Sequence, residues 1–191
     1  VLTMNTLACG VCFAVWTMYG VLITYLVDNR VYAFDKAEMG WLIGIPILTG
    51  SFLRVPVGIF TDRIGGRNMM MLLLIVTAIP TFLLGHVSSY NGALVLALGI
   101  GMAGTSFAAG IAWVSAWYPA NQQGFALGIF GAGNVGASIT KLLAPTLVTA
   151  VGSAGLLGGF LPGGWRLVPT IFAIALVVCA IILPFVAPRP D

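Results

Sequence analysis

The sequence predicts an all-α membrane protein of six transmembrane helices. Three observations carry that prediction. Hydrophobic residues make up 60% of the chain and charged residues only 7%, where an ordinary soluble domain carries about 25% charged residues. The apolar residues gather into six stretches of roughly 20 residues, the length that crosses a bilayer as a helix. Two cations, Arg54 and Lys141, lie within such stretches, and no Asp or Glu occupies the interior of any of them.

The first stretch runs over about 5–27 and holds Cys9 and Cys12. A C-x-x-C pair serves redox chemistry or half a zinc site in other settings. Here it sits in an apolar run, with no second pair and His86 as the sole histidine, so both thiols read as small packing residues. With Cys179 the count is three, which argues against a disulfide framework. A connection with Asp28, Asn29, Arg30, Asp35 and Lys36 leads to the second stretch, 38–60. There Gly50, Arg54 and Gly58 share a helix face, with Ser51 beside it. The loop Thr61 to Arg67 precedes the third stretch, 68–87, and His86 to Asn91 precedes the fourth, 91–117. Tyr118 to Gln122 leads to the fifth, 122–150, and the Gly-rich Gly152 to Gly164 leads to the sixth, 165–187. Pro46, Pro56, Pro80 and Pro145 fall inside spans, where membrane helices tolerate them, and mark expected kinks. The chain starts without Met, basic n-region or cleavage site, and ends in Ala-Pro-Arg-Pro-Asp like the start of a linker. It is expected to be part of a longer protein.

The fifth stretch has the richest pattern. Gly124, Gly128, Ala132, Gly136, Thr140 and Ala144 recur every four residues, an expected ridge for close helix packing. Asn134, Ser138 and Lys141 share a different face. One face is expected to pack and the other to present polar groups to a cavity.

The sequence also excludes much. Gly99 to Gly104 and Gly131 to Gly136 both match G-x-G-x-x-G, but no Asp or Glu occurs between Asp62 and Asp191. A dinucleotide fold needs a preceding strand and an acid about 20 residues on. One histidine and acid-free spans leave no general base, no haem ligand pair and no metal cluster, so neither an enzyme nor a cofactor is expected. The net charge of +3 is scattered, with no basic-aromatic stripe for nucleic acid. Loop cations tie: Arg63, Arg67 and Arg189 on one side, Arg30, Lys36 and Arg166 on the other. Charge alone therefore does not orient the chain. A bare cation in a span costs about 2.5–3.5 kcal/mol, which marks a functional position. Two of them without an internal counter-ion point to a small anion as the cargo.

The loop Gly58-Ile-Phe-Thr-Asp62-Arg63-Ile-Gly65-Gly66-Arg67 resembles the G-x-x-x-D-R-x-G-G-R signature of the major facilitator superfamily. The segment Gly128 to Pro145 resembles the nitrate signature of its nitrate/nitrite porters, the NarK type. Ser51 to Pro56, Gly104 to Ala108, Trp117 to Pro119 and Gln123-Gly124 resemble those porters' second and fourth helices. The likeness covers essentially the whole chain, but only the first six of the family's twelve helices. It implies one half of a major facilitator transporter in a bacterial inner membrane, with a cytoplasmic N-terminus and a C-terminal half outside this chain.

The resemblance further implies a site. Arg54 would bind nitrate or nitrite, Phe107 would pack on the planar anion, Gly131 would let backbone approach, and Asn134 would donate an amide hydrogen bond. Gly58, Asp62, Arg63, Gly65, Gly66 and Arg67 would form a conformational motif, with glycines in a tight turn and Asp62 capping a helix or pairing with an arginine. Lys141 stands where the family commonly has Gln. It strengthens anion binding, or it titrates and couples uptake to protons, or it reaches toward polar surroundings and only packs. Transport by proton symport and nitrate/nitrite exchange both fit. Two other readings fit the residues: a carrier of another small anion, and a non-transporting anchor or assembly module.

Overall fold

The computed structural model describes residues 1–150 and 164–187, the side chains of 148–150 excepted. Most of the Gly152–Gly164 connection and the last four residues lie outside the described part. Every described span is helical, and the chain is all-α.

Helix α1 (Leu2–Asp28) is the first span. Helix α2 (Lys36–Phe52) starts at a capping box: the Asp35 carboxylate accepts from the Glu38 N–H at 2.9 Å, and Glu38 accepts from the Asp35 N–H at 3.0 Å. Helix α3 (Arg54–Ile64) follows directly but is tilted 42° from α2. The second span is therefore broken rather than one straight helix over 38–60. Pro56 is the cause. It has no N–H to give the Phe52 carbonyl, and its ring collides with that carbonyl, so the helix restarts with Pro56 in its first turn. Pro46, Pro80 and Pro145 stay inside continuous helices.

Helix α4 (Gly66–Leu84) is the third span, and Gly65 joins it to α3 at φ 84°, a left-handed value that favours glycine. The fourth span comprises α5 (Tyr90–Gly101), a 3-10 turn at Met102–Thr105, and α6 (Ser106–Trp117). The fifth comprises α7 (Ala120–Gly131), a 3-10 turn at Ala132–Asn134, and α8 (Val135–Ala150). Helix α9 (Leu167–Val186) forms the sixth after a 3-10 turn at Gly164–Arg166. Five spans are continuous, and the bent α2–α3 pair supplies the other. The chain is an integral membrane protein.

The principal packing pairs are spans 3 and 6, 1 and 5, and 2 and 4. Glycine sets two of these contacts. A Cβ on Gly50 would stand 2.8 Å from the Gly101 carbonyl, and one on Gly136 only 2.1 Å from that of Gly10. The two G-x-G-x-x-G runs are thus places of close backbone approach at mid-depth, and both contain the 3-10 turns. Glycines also seat prolines: Gly99 faces the Pro80 ring, and Gly101 faces the Pro46 carbonyl.

The expected four-residue ridge on the fifth span is only partly a packing ridge. Thr140 and Ala144 are buried, and Gly136 meets span 1, but Gly124 and Gly128 have nothing within 4 Å of a built Cβ. A four-residue step overshoots the 3.6-residue turn by about 40°, so five steps wind roughly 200° around the helix. The 3-10 turn adds about 60° more. The buried line instead runs Ala126, Phe130, Gly133, Thr140 and Ala144.

Each end of the bundle is tied. At one end, Tyr32 stacks on Phe34 at 4.9 Å and meets Trp165 edge-on at 6.0 Å, while Phe34 meets Tyr90 at 5.5 Å. The Tyr32 hydroxyl donates to the Val87 carbonyl at 2.8 Å, so three connections form one aromatic plate. At the other end Gly66 lies against buried Trp113, and Arg67 donates to the Pro184 carbonyl at 2.7 Å.

Candidate functional site

Arg54 is the first residue of α3, just past the break in span 2. The break places its side chain at the 3-10 turn of span 4, where one terminal nitrogen donates to the Gly104 carbonyl at 3.4 Å. That bond is long against the usual 2.9–3.0 Å, and a guanidinium has five N–H donors. The residue is exposed, and its partner is a carbonyl rather than a carboxylate. The positive charge is therefore not neutralised at this contact.

Phe107 lies three residues beyond Gly104, at the start of α6, and is half-buried. It sits in a run of rings that the sequence reading did not anticipate. Its ring centroid is 6.0 Å from Phe13 and 5.5 Å from Phe130, and Phe13 is 5.6 Å from Trp16. Phe130 immediately precedes Gly131, which was the available clue. Phe13 and Trp16 carried none beyond their i, i+3 spacing. Trp16 also approaches Gly104, at 3.5 Å from its built Cβ. Contacts thus link Arg54 to Gly104 and Phe107 to Phe130, across spans 2, 4 and 5.

Asn134, Ser138 and Lys141 are all exposed, consistent with one shared face. Among the described residues, no hydrogen bond joins Asn134 or Lys141 to Arg54 or Phe107. Gly131 has nothing within 4 Å of a built Cβ among the described residues, so the expected close backbone approach is not made there. Gly50 and Arg54 both meet span 4 at Gly104 although the break lies between them, whereas Gly58 has nothing within 4 Å of a built Cβ.

The loop motif departs from expectation at one residue. Asp62 is exposed, and α4 begins without any side-chain cap, so Asp62 does not cap that helix. The glycines behave as expected, Gly65 by its positive φ and Gly66 by contact with Trp113. Arg63 is exposed, whereas Arg67 reaches α9. The thiols Cys9, Cys12 and Cys179 are free and buried, and no cluster of metal-ligating side chains occurs among the described residues.

The profile described as "Major Facilitator Superfamily" matches residues 6–191. The chain belongs to the major facilitator superfamily. Within it, the chain is 46% identical over 191 residues to a protein of Thermus thermophilus named "Probable nitrate/nitrite antiporter NarK1", covering 100% of this chain and 43% of that one. It is 29% identical over 181 residues to the "Nitrite extrusion protein" of Bacillus subtilis (strain 168), covering 95% of this chain and 42% of the relative. A "Probable nitrate transporter NarT" of Staphylococcus carnosus (strain TM300) is 27% identical over 184 residues, covering 96% and 44%. The chain thus spans less than half the length of the curated relatives it matches. Among solved structures, a bacterial homolog of the human lysosomal transporter Spinster, in its inward-facing and occupied conformation, superposes with a TM-score of 0.84. That match covers 100% of this chain and 44% of the other at 21% identity, and it concerns the fold. As a major facilitator half, the chain belongs with carriers and not with enzymes.

Proposed function

We propose that this chain forms the N-terminal wall of a NarK-type carrier that moves nitrate, nitrite or both by alternating access. A C-terminal half of the same protein supplies the opposite wall. The carrier works in a bacterial inner membrane, with the N-terminus of this chain cytoplasmic. The reading is carried by Arg54: an exposed guanidinium in mid-span, held by one long bond to a carbonyl, in a chain 46% identical to NarK1 of Thermus thermophilus.

Nitrate is flat and monovalent. A guanidinium is flat too, keeps its charge, and presents a fork of donors matched to two oxygens of such an anion. Phe107 covers the anion's face and keeps water out, in a ring cluster that fixes its orientation. Gly131 leaves room beside Phe130 for the opposite wall, and Asn134 adds an amide donor. Lys141 lies two turns further along the same exposed face and raises the local positive potential. The backbone contacts at Gly50–Gly101 and Gly10–Gly136 lock the helices into one body, which suits a carrier whose halves rock around a central site. The 58–67 loop joins spans 2 and 3 at the end where Arg67 holds span 6, so it works as a conformational motif that moves with the whole half. The driving gradient is a proton or the exchanged anion.

The test is nitrate uptake into proteoliposomes by the full-length protein and its Arg54→Lys variant. Lysine keeps the charge and loses the fork, so uptake is expected to fall at least tenfold. Equal uptake by both proteins overturns planar, two-point recognition by Arg54.

A further inference from the structure

We propose that a trough between α4 and α9, on spans that contribute nothing to the anion wall, holds one acyl chain of an anionic phospholipid whose phosphate is bound by His86 and Arg166. The trough has a volume of about 440 Å³ and is lined only by apolar side chains, among them Ile75, Ile79, Phe82, Ile174 and Val177. From Ile75 to Leu83 it runs about 12 Å along α4, the length of a substantial part of one acyl chain.

Its mouth is basic. His86 follows α4 and rests against Phe82, a trough residue, with ring centroids 5.0 Å apart. Arg166 precedes α9 on the helical face that carries Ala173 and Val177. The two positions are drawn together because Gly85 packs on the Arg166 backbone, its built Cβ 3.0 Å from that carbonyl. Both side chains are exposed. The Arg166 guanidinium carbon lies over the Trp165 ring, 5.4 Å from its centroid, a cation–π contact, and the guanidinium carries five N–H donors.

Depth agrees with charge. Trp165, Tyr32 and Tyr90 belong to the aromatic plate beside this mouth, and such rings sit at the headgroup level of a bilayer. A phosphate at His86 and Arg166 would therefore lie where phosphates lie, with its chain running down the trough toward mid-membrane. A second copy of the chain suits the surface less well. Two copies in one membrane share their depth, so pairing through this face would bring Arg166 against Arg166. The nearby acids Asp35 and Glu38 are already committed to their capping box.

The test is native mass spectrometry of the full-length protein, stripped of lipid and then offered phosphatidylglycerol or phosphatidylcholine. One phosphatidylglycerol is expected to be retained at least fivefold better than phosphatidylcholine. Arg166→Gln combined with His86→Gln is expected to erase that preference, and Arg166→Lys to keep most of it. Ile79→Trp fills the trough without touching either cation and is expected to lower phosphatidylglycerol retention severalfold. It tests the apolar part independently of the basic mouth. Equal retention of both lipids by the unaltered protein overturns the proposal. So does retention that survives both the double variant and Ile79→Trp, or cross-linking of two copies through Val178→Cys.

Discussion

Replacing Gly136 by alanine separates backbone packing from helix propensity at one atom. A Cβ there would stand 2.1 Å from the Gly10 carbonyl oxygen and 2.8 Å from its carbon. Ordinary contact begins at 3.4 Å, so spans 1 and 5 are roughly 1.3 Å too close for the methyl group. The obstacle is backbone inside a helix and cannot rotate aside. Overpacking of this kind costs about 1–3 kcal/mol, while the change from glycine to alanine in a helix returns up to about 1 kcal/mol. With the full return, Gly136→Ala is thus expected to lose up to about 2 kcal/mol. Gly133→Ala, with 3.0 Å to the Thr6 carbonyl, and Gly10→Ala, with 3.2 Å to that of Gly133, are expected near balance. Gly20→Ala meets nothing within 4 Å and is expected to gain. The assay is thermal unfolding of the full-length protein in detergent, followed by a thiol-reactive dye that reports exposure of buried Cys9, Cys12 and Cys179. At about 2–4 °C per kcal/mol, Gly136→Ala should melt several degrees below Gly20→Ala. Equal melting temperatures for those two variants would refute the close approach of spans 1 and 5.

Tyr32→Phe removes the donation to the Val87 carbonyl and should cost about 0.5–1.5 kcal/mol in the same assay. Burial raises the Tyr32 hydroxyl pKa, partly offset by Ser88 and Arg166. A raised folded value means that its contribution is intact below the unfolded value of about 10 and is lost as pH climbs through the folded one. The melting temperature should therefore fall more steeply above about pH 10 in the unaltered protein than in Tyr32→Phe. Arg67→Gln removes a charged donor from the Pro184 carbonyl and should cost about 1.5–3 kcal/mol, with no loss expected if that contact is not made in the membrane. Lys141→Gln should raise the nitrate KM for uptake into proteoliposomes severalfold, and an unchanged KM removes Lys141 from anion binding.

The spans were legible because bilayer-length apolar runs have few alternatives. What sequence could not supply was rotation about each axis. The four-residue spacing put Arg54 on one face with Gly50 and Gly58; across the break Arg54 and Gly50 still meet at Gly104, and Gly58 meets nothing. The ridge on the fifth span followed the same arithmetic and failed for a related reason, since small drifts accumulate over five turns. Asp62 lay at a helix boundary and looked like a cap, but Gly65 takes the turn and Asp62 faces outward. Phe107 was found by resemblance. The rings around it came from three separate spans, and no local pattern announces such a meeting. His86 and Arg166 lie 80 residues apart in the sequence, and the packing of span 3 on span 6, with Gly85 seated on the Arg166 carbonyl, brings their backbones near.

The 3-10 turns at Met102–Thr105 and Ala132–Asn134 share the middle of the bundle with the break at Leu53. The ends are stiffened, by rings on one side and by Arg67 and Trp113 on the other. The backbones also stand closest there, at Gly50–Gly101 and Gly10–Gly136, so interhelical packing holds the waist where its own 3-10 hydrogen bonds are the poorer ones. A guest beside Arg54 therefore meets a braced scaffold, and the half answers as one piece.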